Sequence, residues 1–298
     1  MTNKTDVLKN VDAIIEGLKE QGYYINKQVA IAIRNAYVLK KPLFVEGPPG
    51  VGKTQLAKSL HKWLDFKWFR LQCTPETNEK KALYQIDFQK QLLQIQLYKN
   101  DSTEEVHQVN DFFTRDYLIE RPILKAMQQD KPSILLIDEL DKSEEAFDSH
   151  LLEVLGEYSV SISELNETIF AKEIPFTIIT SNNARPISDA ILRRCVYVHI
   201  DYPTAQEETE LIQTIIGSDE VIARGIATVM EQLRDGRKVH LKQKPSISEG
   251  LEWAQIISIH LSEDEKELKE TMLENVNIIA KSEKDQKTIT NKIESMAI

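Results

Sequence analysis

The stretch that decides the fold is LFVEGPPGVGKT, residues 43–54. It contains the pattern G-x-x-x-x-G-K-[ST] from Gly47 to Thr54, directly after an apolar run that is typical of a buried strand. The glycines allow backbone conformations closed to other residues, so successive N–H groups can turn toward phosphate oxygens. Leucine then recurs at every fourth position, at 56, 60 and 64, which predicts a helix. Strand, glycine-rich loop and helix in this order predict phosphate binding at a helix N-terminus.

The pattern assigns a role to each part of the loop. Lys53 is expected to place its ammonium group on the β- and γ-phosphates of a nucleotide, and the Thr54 hydroxyl to bind Mg²⁺. ATP and GTP both fit, because no residue reads the base unambiguously. The residues that we expect to contact the nucleotide are Gly47, Pro48, Pro49, Gly50, Val51, Gly52, Lys53, Thr54 and Gln55.

A second short apolar run, ILLIDE at residues 134–139, ends in two acidic residues. A wholly apolar run is what a strand buried on both faces requires. Asp138 would hold Mg²⁺, usually through water, and Glu139 would polarise the water that attacks the γ-phosphate. Together with the phosphate-binding loop, the two carboxylates predict a catalytic site rather than a solvated acidic turn.

Two later segments carry polar residues at the ends of regular elements. The run FTIITSNN, residues 176–183, ends in two amides, of which Asn182, or alternatively Asn183, would reach the γ-phosphate or orient the attacking water. Arg193 and Arg194 end the next helix-like segment. An arginine at a helix end can serve the nucleotide of a neighbouring subunit, where its guanidinium stabilises charge on the transferring phosphoryl group.

Short β-rich runs alternate with helix-like stretches up to about residue 202. This alternation predicts an α/β core with a parallel sheet flanked by helices. From residue 203 onward the periodicity is helical, so we predict two domains, an α/β core with N-terminal helices at 1–202 and helices alone at 203–298. The five β-rich runs are Leu43–Glu46, Trp68–Gln72, Ile134–Ile137, Phe176–Thr180 and Val196–Ile200.

Composition narrows the class of protein. The 298 residues are 41% hydrophobic and 28% charged, as in ordinary globular proteins, and no run approaches the roughly 18 apolar residues of a membrane span. Cys73 and Cys195 form no C-x-x-C pair, and the first residues lack the apolar core of a signal peptide. We therefore expect a cytoplasmic protein without membrane contact, whose only metal is the Mg²⁺ of the nucleotide.

The formal net charge of −10 bears on partners. A chain this acidic has no broad basic face for a phosphate backbone, so we expect no direct contact with nucleic acid. The net charge does not exclude a local ring of basic residues that forms when subunits assemble.

Taken in order, these motifs resemble those of an AAA+ ATPase, and within that superfamily the chain resembles the MoxR group. The resemblance covers about residues 24–253. It implies that Lys53 and Thr54 are the Walker A pair, that Asp138 and Glu139 are the Walker B pair, that Asn182 is sensor 1, and that Arg194, with Arg193 as the fallback, is the arginine finger. The subgroup signatures, besides the loop, are RLQCT at 70–74, ALY at 82–84, QLL at 91–93, RPIL at 121–124 and KPSIS at 244–248.

The resemblance also implies an architecture and a function. The expected fold is an αβα sandwich with a small helical lid, assembled as a ring, most often a hexamer, with ATP and Mg²⁺ at the subunit interfaces. Members of the group are typically chaperone-like and remodel, mature or activate partner proteins, often with a partner that carries a von Willebrand A-type domain. The alternatives are a motor subunit of a nucleic-acid-processing complex and a small-molecule kinase or nucleotide switch.

Two insertions and one missing arginine set the chain apart from the common core pattern. Residues 158–165 and 168–173 read as a β-hairpin. Residues 87–98 belong to a second insertion, whose apolar residues are expected to pack rather than to contact a client. A sensor-2 arginine is missing, because Ser248 stands at the expected position, which leaves Lys242, Lys244 or no residue to couple the lid to the γ-phosphate.

Overall fold

The computed structural model describes residues 6–100, 114–237, 239–260 and 265–296. The chain divides into two compact units. The first comprises Met1–Gly17, Asn26–Glu46 and Ala57–Val198, and the second comprises Leu18–Ile25, Gly47–Leu56 and His199–Ile298. The domain boundary near residue 202 stays a prediction.

The first unit is built on a five-stranded parallel sheet, as the sequence predicts. Across the sheet the strands follow the order 67–72, 133–138, 176–181, 43–46 and 196–199. Each of the five β-rich runs forms one of these strands, with ends that differ from the predicted ones by no more than one residue. The strands are β1 (Leu43–Glu46), β2 (Lys67–Gln72), β5 (Ser133–Asp138), β8 (Phe176–Ser181) and β9 (Val196–His199).

Two of these strands are buried along their whole length, β5 and β8. Both lie inside the sheet with a neighbour on each side, which is why their sequences are continuous apolar runs rather than alternating ones. Since the strands run parallel, the polar residues that end β5 and β8 lie at the same edge of the sheet. The helices of this part of the chain are α1 (Val11–Glu20), α2 (Lys27–Val38), α3 (Lys53–Leu64), α4 (Glu79–Ala82), α5 (Phe88–Asn100), α6 (Pro122–Met127), α7 (Glu145–Glu157) and α8 (Asp189–Leu192).

The predicted hairpin is present. Strands β6 (Ser159–Ile162) and β7 (Glu167–Phe170) pair antiparallel, and the connection between them is a short 3-10 turn that ends at Asn166. Strand β6 is shorter than the predicted segment 158–165 because this turn takes residues 163–165, and β7 ends at Phe170, three residues before the end of the predicted segment 168–173.

The second insertion corrects one expectation. Strands β3 (Tyr84–Ile86) and β4 (Leu118–Glu120) pair antiparallel, and α5 follows β3. On α5 the side chains of Leu92, Leu93 and Leu97 are exposed, whereas Gln91 is buried. The expectation that these leucines pack is wrong for the described part of the chain, because Leu93 and Leu97, four residues apart, share the face of α5 opposite the buried Gln91.

The second unit contains five helices after residue 199 within its described residues, in agreement with the helical periodicity of this part. Their core includes Trp253, Ile226, Met230, Ile257 and Met272. The helices are α9 (Ala205–Ile216), α10 (Glu220–Arg234), α11 (Ile247–His260), α12 (Glu265–Glu274) and α13 (Glu283–Glu294). None of the described helices of the chain is long and apolar enough to cross a membrane.

One ion pair is buried among these helices. Arg234 donates to both carboxylate oxygens of Glu208, at 2.6 and 3.1 Å, and its Nε donates to the Pro245 carbonyl at 2.9 Å. Its guanidinium also lies over the Tyr202 ring, 4.6 Å from the ring centroid. The pair therefore ties α9 and α10 to the segment that leads into α11.

Candidate active site

The phosphate loop, residues 47–54, belongs to the second unit, and its backbone requires its glycines. Gly50 and Gly52 have φ of 80° and 89°, in the left-handed region that side chains with a Cβ rarely adopt. A Cβ on Gly47 would lie 1.9 Å from the Ile200 carbonyl oxygen. The loop therefore has the tight, glycine-dependent backbone that the sequence predicts, and its binding of phosphate stays a prediction.

Lys53 lies across this loop. Its side chain is nearly buried, and its Nζ donates to the carbonyl oxygens of Gly47 and Pro48, each at 2.7 Å. An ammonium group in this position can exchange backbone oxygens for phosphate oxygens without a change in the course of the chain.

Other residues of the second unit hold the loop backbone from outside. The Tyr202 hydroxyl donates to the Pro49 carbonyl at 2.7 Å, and the Ile247 N–H donates to the Gly50 carbonyl at 3.1 Å. A Cβ on Gly50 would lie only 2.5 Å from the Cβ of Ser246. The loop and the start of α11 are therefore in direct contact.

The two acidic residues lie where β5 ends, in the first unit. Asp138 is almost fully buried, and its Oδ1 accepts a hydrogen bond from the Thr180 hydroxyl at 2.7 Å. Its Oδ2 accepts from Arg70, with Nη2 at 2.6 Å and Nε at 3.1 Å. Hydrogen bonds from Thr180 and Arg70 therefore orient both carboxylate oxygens of Asp138.

Glu139 is held at its backbone and at both carboxylate oxygens. Its φ of 57° and ψ of 52° place it in the left-handed region, and its N–H donates to the Thr180 hydroxyl at 2.8 Å. The Asn182 amide donates to its Oε1 at 3.0 Å, while Oε2 accepts from Gln72 and contacts Lys142, each at 2.7 Å. Unusual backbone geometry of this kind persists where the surroundings over-determine it, as at functional sites.

The chain also matches the model of a known protein family. Residues 42–195, just over half of the chain, match the model of the AAA domain, dynein-related subfamily. The chain belongs to this AAA domain family. It is accordingly a member of the AAA+ ATPases, which as a family bind and hydrolyse nucleotide.

Relatives and solved structures extend the comparison beyond the matched domain. An uncharacterized protein of Staphylococcus aureus (strain USA300) is 24% identical over 266 residues, which cover 86% of this chain and 90% of that protein. The solved Thermotoga maritima RuvB Holliday junction branch migration motor aligns with a TM-score of 0.51 at 17% identity, over 94% of this chain and 78% of that one. A single-site mutant of the same motor gives a TM-score of 0.52 at 16% identity, over 97% and 82%. At these identities the likeness to the motor shows the fold alone.

Within the AAA domain the two candidate amides have different partners, and the two candidate arginines lie on the surface. Asn182 contacts Glu139, whereas Asn183 turns through a left-handed conformation and donates its N–H to the Ser181 hydroxyl at 3.0 Å. Arg193 and Arg194 follow α8 and are both exposed, and Arg194 donates to the Ala190 carbonyl at 3.0 Å. Among the hydrogen bonds of the described residues, neither guanidinium reaches Glu139.

Sequence reasoning missed several residues that shape the acidic cluster. Arg70 and Gln72 stand two apart on β2, so they share one face of the strand. Their contacts follow from the pairing of β2 with β5, which sets Gln72 opposite Asp138. The polar residues Arg70 and Gln72 at the end of the run WFRLQ are the sequence feature that could have indicated these contacts.

Arg185 was missed as well. Its guanidinium binds both carboxylate oxygens of the buried Asp148 on α7, at 2.7 and 3.2 Å, and its Nε donates to the Ser143 carbonyl at 2.7 Å. Nearby, Asp141 accepts from the backbone N–H groups of Asn182 and Ala184. These contacts fix the loop that carries Asn182.

The residues expected to hold Mg²⁺ suit that ion chemically. Thr54 and Asp138 offer oxygen ligands, and Mg²⁺ favours one or two carboxylates or hydroxyls together with phosphate oxygens and water. In the described ranges no group of three or more His, Cys, Asp or Glu side chains could hold a metal ion.

Proposed function

We propose that this protein is a MoxR-type AAA+ ATPase that hydrolyses ATP at the subunit interfaces of a ring in order to remodel, mature or activate partner proteins. The observation that carries the catalytic part is the Glu139 carboxylate, which Asn182, Gln72 and Lys142 hold in one orientation beside the buried Asp138. A carboxylate held in this way is suited to accept a proton from a water molecule.

The hydrolytic step assigns one role to each group. Gly47, Gly50 and Gly52 shape the cradle for the phosphates, and Lys53 turns its ammonium group from the loop carbonyls to phosphate oxygens. Mg²⁺, held through Thr54 and Asp138, would neutralise phosphate charge. Glu139 accepts a proton from the attacking water as the water oxygen bonds to the γ-phosphorus, and the bond to the β-phosphate oxygen breaks to give ADP and phosphate.

Arg194 is proposed to act on the nucleotide of the neighbouring subunit, with Arg193 as the alternative. Support comes from the exposure of both side chains directly after α8, since a residue that acts across an interface must be accessible in the single chain. A guanidinium supplied in this way can increase turnover by about a thousandfold or more. The ring that this requires, most often a hexamer, is part of the proposal.

A protein partner is favoured by exposed apolar side chains on the two insertions. Leu92, Leu93 and Leu97 on α5 and Phe170 on the hairpin each expose about 60% of their surface. Exposed apolar side chains that adjoin one another mark protein contacts more often than scattered ones do, and Leu93 and Leu97 lie one helical turn apart on α5. The resemblance to the MoxR group suggests a partner with a von Willebrand A-type domain.

We also propose that the protein is cytoplasmic. Its two cysteines, Cys73 and Cys195, are free thiols, as is usual for proteins of that compartment.

The second candidate is a motor of a nucleic-acid-processing complex. The likeness in fold to the branch migration motor favours it, and the net charge of −10 speaks against direct contact with a phosphate backbone. ATPase activity that duplex DNA stimulates, and that salt suppresses, would support this candidate.

Co-purification tests the proposed function. The Glu139→Gln protein, held in ATP, is isolated together with its bound partners, which are identified by mass spectrometry; Lys53→Ala, which cannot hold ATP, is the control. Recovery of a von Willebrand A-type protein or an enzyme subunit with Glu139→Gln alone is the expected result. Recovery of nucleases or DNA-bound complexes instead would replace the proposal by the second candidate.

A further inference from the structure

The Arg70 guanidinium donates hydrogen bonds to one oxygen of Asp138, the buried carboxylate that is proposed to hold Mg²⁺. Arg70 reaches along β2 to Asp138, and two of its nitrogens contact Oδ2, at 2.6 and 3.1 Å. The Asp138 side chain is 2% exposed and the Arg70 side chain is 40% exposed. The hydroxyl of Thr180 takes the other oxygen.

This contact has a physical cause. A buried carboxylate without a counter-charge is costly, so the carboxylate of Asp138 requires a neighbouring cation. Arg70 supplies it. The same carboxylate is a hard oxygen ligand of the kind that Mg²⁺ prefers.

The two cations cannot both neutralise Asp138 without repelling each other. Because a divalent ion beside a guanidinium raises the electrostatic energy, Mg²⁺ that comes with a nucleotide must displace Arg70 or bind more weakly. Arg70 is able to leave, since its side chain is partly solvated and its Nη2 also donates to the Gln72 side chain on the same strand.

We propose that Arg70 is the resident counter-ion of Asp138, with which Mg²⁺ competes, so that Arg70 sets the Mg²⁺ concentration at which the nucleotide site is loaded. This inference rests on the proposed function, which assigns Mg²⁺ to Asp138. It also links loading to the catalytic base, because Gln72 contacts both Arg70 and Glu139.

The experiment measures the affinity of the full-length protein for ADP by titration calorimetry, over a series of MgCl₂ concentrations and in EDTA. The variant is Arg70→Gln. The matched control is Arg115→Gln, which also removes an arginine from an ion pair, here the exposed pair with Glu167. We expect Arg70→Gln to reach half of its Mg²⁺-dependent gain in ADP affinity at about one fifth of the wild-type MgCl₂ concentration or less. Arg115→Gln should behave like the wild type.

Arg70→Lys gives a second measurement that does not depend on the folding of the glutamine variant. It keeps the charge but loses the planar two-nitrogen contact, so its MgCl₂ midpoint should fall below that of the wild type and above that of Arg70→Gln. Unchanged or raised midpoints in the Arg70 variants that fold would overturn the inference. A wild-type protein whose ADP affinity ignores Mg²⁺ would instead overturn the Mg²⁺ assignment in the proposed function.

Discussion

At the scale of single residues, the proposed chemistry depends on how Glu139 is held. Thr180 links it to Asp138, because one hydroxyl accepts from the Glu139 N–H and donates to the Asp138 carboxylate. Two neighbouring acids therefore have different surroundings, and only Glu139 is contacted by the amides of Asn182 and Gln72. This difference fits a division of labour between a base and a metal ligand.

Replacing the base should separate binding from turnover. Glu139→Gln keeps the shape and still accepts the bond from Asn182, but it cannot take up a proton. We expect ATP hydrolysis to fall by at least about a hundredfold while the dissociation constant for ATP stays within about threefold. A phosphate-release assay and calorimetry measure the two quantities. Wild-type turnover in this variant would contradict the role of Glu139.

The two arginines after α8 provide a matched pair. Arg194→Ala should lower turnover by about a thousandfold with nucleotide binding retained, because the lost group acts only on charge that develops during phosphoryl transfer. Arg193→Ala should change turnover by less than about tenfold. The reverse pattern in the same phosphate-release assay would move the finger to Arg193.

At the scale of elements, the buried pair of Arg234 and Glu208 fixes α9 against α10. Burial raises the pKa of Glu208, while the guanidinium of Arg234 opposes that shift. Removing one partner leaves a buried charge uncompensated. We expect Glu208→Gln to lower the free energy of unfolding by about 3 kcal/mol, as measured by urea denaturation.

The control for this prediction is Glu220→Gln, which removes an exposed carboxylate paired with Arg224 one helical turn away. Exposed pairs of this kind contribute little, so its unfolding midpoint should match the wild type within error. Equal effects of the two substitutions would show that burial does not determine the strength of the Arg234 pair.

Elements were predictable from the sequence where one local pattern decides them. The runs that form β5 and β8 are apolar throughout because both strands are interior, and the phosphate loop is specified by its own glycines. The contact of Arg70 with Asp138 was not predictable, because it depends on the register between β2 and β5. The exposure of Leu92 and Leu93 was missed for a related reason, since composition favours burial of leucine and only the orientation of α5 decides it.

At the scale of the whole molecule, the central claim is that one subunit supplies the base and its neighbour supplies the arginine. A ring built from identical head-to-tail contacts places the same pair of surfaces at every interface. Variants in Glu139 and in Arg194 then each remove a group from opposite sides of the same interface. An interface between one subunit of each kind can contain both an intact Glu139 and an intact Arg194.

Mixing the two inactive variants tests this claim most directly. Glu139→Gln and Arg194→Ala proteins are combined in equal amounts, allowed to exchange subunits, and assayed for ATP hydrolysis. Random assembly leaves about a quarter of the interfaces with both groups intact, so the mixture should recover about a quarter of the wild-type rate. A mixture that stays as inactive as its two components, although exchange is demonstrated by energy transfer between labelled subunits, would contradict catalysis across the interface.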